Sequence, residues 1–148
     1  MGSGAIRDLV RMRKGRLGRL RVARKPVGSV ARVTADAPGV SLPIDLAVPC
    51  GLILNELITN ALKHAFSTVT DAAPEIRIAM SSDEQTLVFS VRDNGIGLPA
   101  DFELANCQTL GMHLVRTLGR QLRASISMND ENGTGWTFRF PLHPGADT

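Results

Sequence analysis

In the run "CGLILNELITNALKHAF", Glu56 and Asn60 stand four residues apart, and Lys63 follows three residues later. On a helix this spacing brings a carboxylate, a carboxamide and an ammonium to one face about one turn apart. The trio suits a magnesium-bound polyphosphate, since the amide oxygen is a hard ligand for the metal and the lysine is a point charge for phosphate. A second group lies in "VRDNGIGLP", residues 91–99, where an acid and an amide precede glycines at 95 and 97. Turn chemistry alone explains such a run, because Asn and Asp tolerate left-handed backbone and glycine adopts it freely. The same residues can also recognise a base. Gly95 and Gly97 would let the backbone approach a flat heterocycle while Asp93 accepts a hydrogen bond from an exocyclic amine, such as that of adenine. A third group, Leu110-Gly111-Met112, opens an apolar-periodic segment and offers unpaired backbone N–H groups and a positive helix end to phosphate oxygens. Taken singly each group has a bland reading, for exposed helix faces carry such charged triples routinely. In this fixed order they point to a nucleotide.

The elements that must hold these residues are legible from periodicity. "VARVTA", from Val30, alternates as a strand and is closed by the turn signals of "DAPG". Pro49 suits the first turn of a helix whose apolar stripe is Leu52, Ile53, Leu57, Leu62 and Phe66. "EIRIAM" and "TLVFSVR" alternate with period two around "SSDEQ", a hairpin with Ile76, Ile78 and Met80 on the same side as Leu87, Phe89 and Val91. The polar loop "PADFELANCQT" leads to a second helix with Leu110, Leu114, Val115 and Leu118 as its buried stripe. "ASISM" and "GWTFRFPL" read as two further strands. The order predicts an α/β fold with helices on one face of a mixed, mostly antiparallel sheet.

At 148 residues the chain has the size of one domain. No apolar run approaches the roughly 18 residues of a membrane span, so a cytoplasmic protein without membrane contact is expected. Cys50 and Cys107 are far apart and do not cluster with His64, His113 or His143, which argues against a metal cage or a disulfide. The net charge of +3 hides an asymmetry: residues 1–28 carry nine basic residues and one acid, net +8, while the remainder carries eight basic and thirteen acidic residues, net −5. A basic arm can seek nucleic acid, but this one has no aromatic residue to stack a base, and Gly15 and Gly18 interrupt it. Residues 1–29 are therefore expected to be a partly ordered lead-in segment, and residues 143–148 a terminal tail.

Together "LILNELITNALKHAF", "VRDNGIGLP", "TLGMHLVRTLGRQL" and "GTGWTFRFPL" resemble the catalytic ATP-binding domain of sensor histidine kinases, in the superfamily shared with gyrase, Hsp90 and MutL. The wording of the first stretch resembles the HWE subfamily. The resemblance spans residues 30–142 and implies a Bergerat-type two-layer sandwich that binds ATP and Mg2+. It implies that Asn60 is the magnesium ligand, that Lys63 contacts phosphate, and that Asp93, Gly95 and Gly97 form the adenine pocket. Residues 99–110 would be a lid ending at Gly111, with Leu110 and Gly111 facing phosphate. Thr134, in the "GTG" turn, would support the adenine side through its hydroxyl. Glu56 matches the acid that gyrase-like members use as a general base; in a kinase it would orient magnesium or help deprotonate the incoming histidine, and these alternatives stay open.

The resemblance further implies transfer of the ATP γ-phosphate to a histidine on a dimerisation segment not contained in this chain, with a response regulator as indirect partner. No histidine precedes His64, and the isolated domain is expected to be monomeric with little turnover. Two rivals are a docking module of the same fold without catalysis and a protein serine kinase of the anti-sigma type. "CQTLGM" carries one glycine where many members carry two or more, and "QLRASI" replaces a pair of glycines often found after the second helix.

Overall fold

The computed structural model describes residues 31–66, 73–99, 101–107 and 109–143. The lead-in segment 1–29, Val30 and the tail beyond His143 lie outside the described residues. The elements are β1 (Arg32–Asp36), α1 (Ile44–Asn60) continued by a π-helical turn (Ala61–Ala65), β2 (Glu75–Ser82), β3 (Thr86–Asp93), a 3-10 turn (Leu104–Asn106), α2 (Leu110–Gln121), β4 (Ser125–Asn129) and β5 (Gly135–Pro141). The five strands form one sheet in the order β1-β2-β3-β5-β4. β1 runs parallel to β2, and every other pairing is antiparallel.

The hairpin register explains the core. Ile78 faces Val91 and Met80 faces Phe89 across β2 and β3, and Phe89 and Leu87 face Phe138 and Phe140 across β3 and β5. All these side chains are buried, as the period of two predicts. Phe89 stacks on Phe138 with centroids 4.7 Å apart and meets Phe140 edge-on at 6.1 Å. α1 and α2 pack side by side on this face. The opposite face carries Arg77, Arg92, Arg139 and the serines and threonines between them.

Three expectations about the helices need correction. α1 starts at Ile44, so Pro49 lies inside it rather than in its first turn. The helix begins earlier because Leu46 and Ala47 both donate backbone N–H groups to the carbonyl of Pro43, at 3.0 and 2.9 Å. Its buried side is Leu46, Cys50, Ile53, Leu54, Leu57 and Ile58, whereas Leu52 is exposed in line with Ile44 and Val48. In α2 the buried stripe is Met112, Val115 and Leu118, and Leu110 is 84% exposed. As the first helical residue, Leu110 projects backwards past the packed layer. By length and composition alone Ile44–Ala65 is long and apolar enough to cross a membrane. Its apolar side is spent on the sheet, as befits the core helix of a two-layer sandwich.

Candidate functional site

β3 ends at Asp93, a carboxylate only 6% exposed. Its Oδ1 accepts the backbone N–H of Gly95 at 2.9 Å and that of Thr134 at 3.2 Å. The Asp93 N–H in turn donates to the Thr134 carbonyl at 2.9 Å. Two donors thus fix one oxygen. Oδ2 has no partner among the described residues, and since no sealed side-chain oxygen among them is unpartnered, Oδ2 keeps an opening to the outside. Burial pushes the Asp93 carboxyl above its ordinary value, with the two backbone donors and Arg92 pulling against it.

The turn after Asp93 is fastened on two sides. Asn94 Oδ1 accepts the Glu75 N–H at 2.8 Å, its Nδ2 donates to the Ala73 carbonyl at 2.9 Å, and its backbone N–H donates to the Glu75 carbonyl at 3.2 Å. Gly95 lies against the end of the π-helical turn, where an added Cβ would fall 2.2 Å from the Ala65 carbonyl oxygen and 2.5 Å from the Ala65 methyl. Ile96 then donates its N–H to that same carbonyl at 2.9 Å. Gly97 has φ 78°. On the other flank, Gly133 has φ 118°, and a Cβ there would come within 2.1 Å of the Asp93 carbonyl oxygen. Asn94, Gly133 and Ala65 are therefore structural members of this corner that sequence reasoning missed. The doubled glycines of "NGTG" signalled Gly133, whereas nothing in the sequence signalled Ala65.

At the other end, Glu56 and Asn60 are half-buried on α1, and Lys63 is exposed in the π-helical turn. The first turn of α2 is capped by Thr109, whose Oγ1 accepts the Met112 N–H at 3.4 Å. The N–H groups of Leu110 and Gly111 have no partner among the described residues, as the first positions of a helix require. A Cβ on Gly111 would lie 2.4 Å from Glu56 Oε2, so the carboxylate of α1 rests on the backbone that opens α2. A negative group at a helix N-terminus is electrostatically favoured there.

Between the two ends runs the segment expected to be a lid. Phe102 meets Trp136 edge-on at 6.1 Å, and the Leu104 carbonyl accepts a hydrogen bond from Arg116 Nη1 at 2.6 Å. His64, His113 and His143 are all exposed. The fold thus brings Asp93, Gly95, Gly97 and Thr134 into one corner and Glu56 and Gly111 into contact. Asn60 stands one turn beyond Glu56, on the helix whose last turn seats Gly95. Leu110 enters with its backbone alone, and the Thr134 contacts to Asp93 are likewise made by backbone. Two shallow depressions, of about 530 Å3 on the open sheet face and about 470 Å3 beside His113, Arg116 and Arg120, are lined by none of the residues expected to bind nucleotide or metal.

The donors at the α1 end are the oxygens of Asn60 and Glu56, and among the described residues no group of three or more His, Cys, Asp or Glu could cage an ion. Such a sparse set of hard oxygens fits magnesium, which takes few protein ligands and completes its octahedron with phosphates and water.

Comparison with known proteins identifies the family and the fold. Residues 46–145 match the family described as histidine kinase-, DNA gyrase B-, and HSP90-like ATPase. The blue-light-activated histidine kinase 2 of Erythrobacter litoralis is 36% identical over 104 residues, covering 70% of this chain and 30% of that protein. The sensor histidine kinase PdtaS of Mycobacterium tuberculosis is 35% identical over 104 residues, covering 68% of this chain and 21% of that protein. This chain therefore spans less than a third of either relative. In the solved structure of the Erythrobacter litoralis EL346 blue-light activated histidine kinase, 37% of that chain superposes on 80% of this one with a TM-score of 0.71 and 31% identity. The chain belongs to the histidine kinase-, DNA gyrase B- and HSP90-like ATPase family, and these relatives within it are histidine kinases.

Proposed function

We propose that this chain is the ATP-binding catalytic domain of a two-component sensor histidine kinase of the cytoplasm, donating the γ-phosphate of Mg-ATP to a histidine on a dimerisation segment outside residues 1–148. The observation that carries the reading is Asp93: a buried carboxylate with one oxygen held by two backbone donors and the other left for a ligand. The adenine amine supplies the missing donor, and the glycine turn supplies a flat approach.

Phosphoryl transfer is governed by positioning and charge stabilisation rather than by covalent chemistry of the protein. Asn60, with Glu56 one turn before it, would hold magnesium, which neutralises phosphate charge when bound. Lys63 adds a mobile positive charge at the α1 end. The N–H groups of Leu110 and Gly111, without partners among the described residues, receive phosphate oxygens, and the segment from residue 99 to 110 closes over them. The acceptor histidine belongs to a partner segment, through which a response regulator is reached.

Calorimetric titration with ADP and a non-hydrolysable ATP analogue, each with and without magnesium, tests the pocket. Magnesium-dependent binding of the triphosphate is expected, and absence of binding by either nucleotide would move the reading to a docking module. Adding a histidine-bearing dimerisation segment should then yield an acid-labile phosphoprotein. An acid-stable product would indicate a serine kinase instead.

A further inference from the structure

We infer that Ala65 is a positioning residue for base recognition, acting through Gly95 on the carboxylate of Asp93. The inference rests on the adenine reading of Asp93 and adds a residue that no sequence motif assigned to the base. Three contacts form an unbroken line. The Ala65 carbonyl accepts the Ile96 N–H at 2.9 Å, which anchors the turn to the end of α1. The Ala65 methyl and carbonyl fill the space that Gly95 leaves by lacking a side chain. Gly95 then donates its own N–H to Asp93 Oδ1 at 2.9 Å. Whatever lifts Gly95 off Ala65 also withdraws one of the two donors that aim the carboxylate.

The π-helical turn makes the line possible. Ala61–Ala65 follows directly on Asn60, and its wider turn sets the direction in which the Ala65 carbonyl leaves the helix. α1 thereby carries both ends of the site, the oxygens of Glu56 and Asn60 along its length and the seat of the base-binding turn at its last residue. Ala65 is buried with its methyl against Gly95, so a larger side chain presses on Gly95.

The test compares ATP with purine riboside triphosphate, which lacks the 6-amino group, by calorimetry on the whole chain. The wild-type chain should prefer ATP by at least about tenfold, as expected for a hydrogen bond to a charged acceptor. In Ala65→Val this preference should fall to less than about threefold, while Ala65→Ser, which keeps the carbonyl and nearly the volume, should retain it. The ratio of the two affinities is insensitive to a uniform loss of folded protein, and thermal melting without nucleotide reports that loss separately. Full discrimination by a folded Ala65→Val chain overturns the inference. A wild-type chain that binds both triphosphates equally refutes the adenine reading itself, which is a different result. If Ala65→Val does not fold, Ala65→Ser and Ala65→Thr are compared: discrimination that stays constant through this series also overturns the inference.

Discussion

Asp93 has two jobs that pull in opposite directions, and pH separates them. Because burial holds its carboxyl above the ordinary value, the folded chain keeps this proton at pH values where the unfolded chain has released it. Across the window from the ordinary value up to the raised one, the stability contributed by this group falls as pH rises. Nucleotide binding should do the reverse, strengthening over the same window as the carboxylate forms. Asp93→Asn should remove the Asp93 part of both trends. It should also weaken nucleotide binding on the order of a hundredfold, because the amide oxygen stays with Gly95 and Thr134 and its NH2 then faces the adenine amine. Titrations from pH 4 to 7 with both chains check this, and tight binding by the Asn variant would remove Asp93 from the base site. Gly133→Ala is expected to cost about 2 kcal/mol or more in denaturant unfolding, since φ 118° and the nearby Asp93 carbonyl leave no room for a methyl.

At the level of elements, the ends of the helices were harder to read than their existence. The period-two hairpin was legible down to single residues, because alternation fixes which side faces the core. α1 was legible in its middle only. Its start lies in "SLPID", where Pro43 and not Pro49 supplies the first carbonyl, and its end is a π-helical turn that no local pattern announces. The motif residues Glu56, Asn60, Asp93 and Gly111 could be named from spacing. What seats them could not, because Ala65 against Gly95 and Gly133 against Asp93 are backbone contacts between segments distant in sequence. The replacement of glycines in "QLRASI" also has a cost that the sequence reading passed over. Arg123 ends α2 at φ 56°, with its N–H on the Arg120 carbonyl at 3.0 Å and that of Ala124 on the Gly119 carbonyl at 2.8 Å, a helix stop that favours glycine. Arg123→Gly should therefore raise stability by about 1 kcal/mol in equilibrium unfolding, with nucleotide affinity unchanged.

For the molecule as a whole, one aromatic cluster ties two adjacent central strands of the sheet. Phe89 on β3 touches Phe138 and Phe140 on β5, and all three are fully buried. Phe138→Ala is expected to cost about 3–5 kcal/mol, a large part of the margin of a domain this size, and thermal melting should detect it directly. The two cysteines differ in their exposure. Cys50 is sealed on the buried side of α1, where burial pushes its thiol up to about 12, while Cys107 lies half-buried in the segment between Phe102 and α2. A thiol-directed fluorophore mixed with the native chain should therefore label one position, on the segment assigned to close over the triphosphate. The wild-type sequence thus comes with its own labelling site, and the emission of the attached dye on adding nucleotide would time the closing without a single engineered residue.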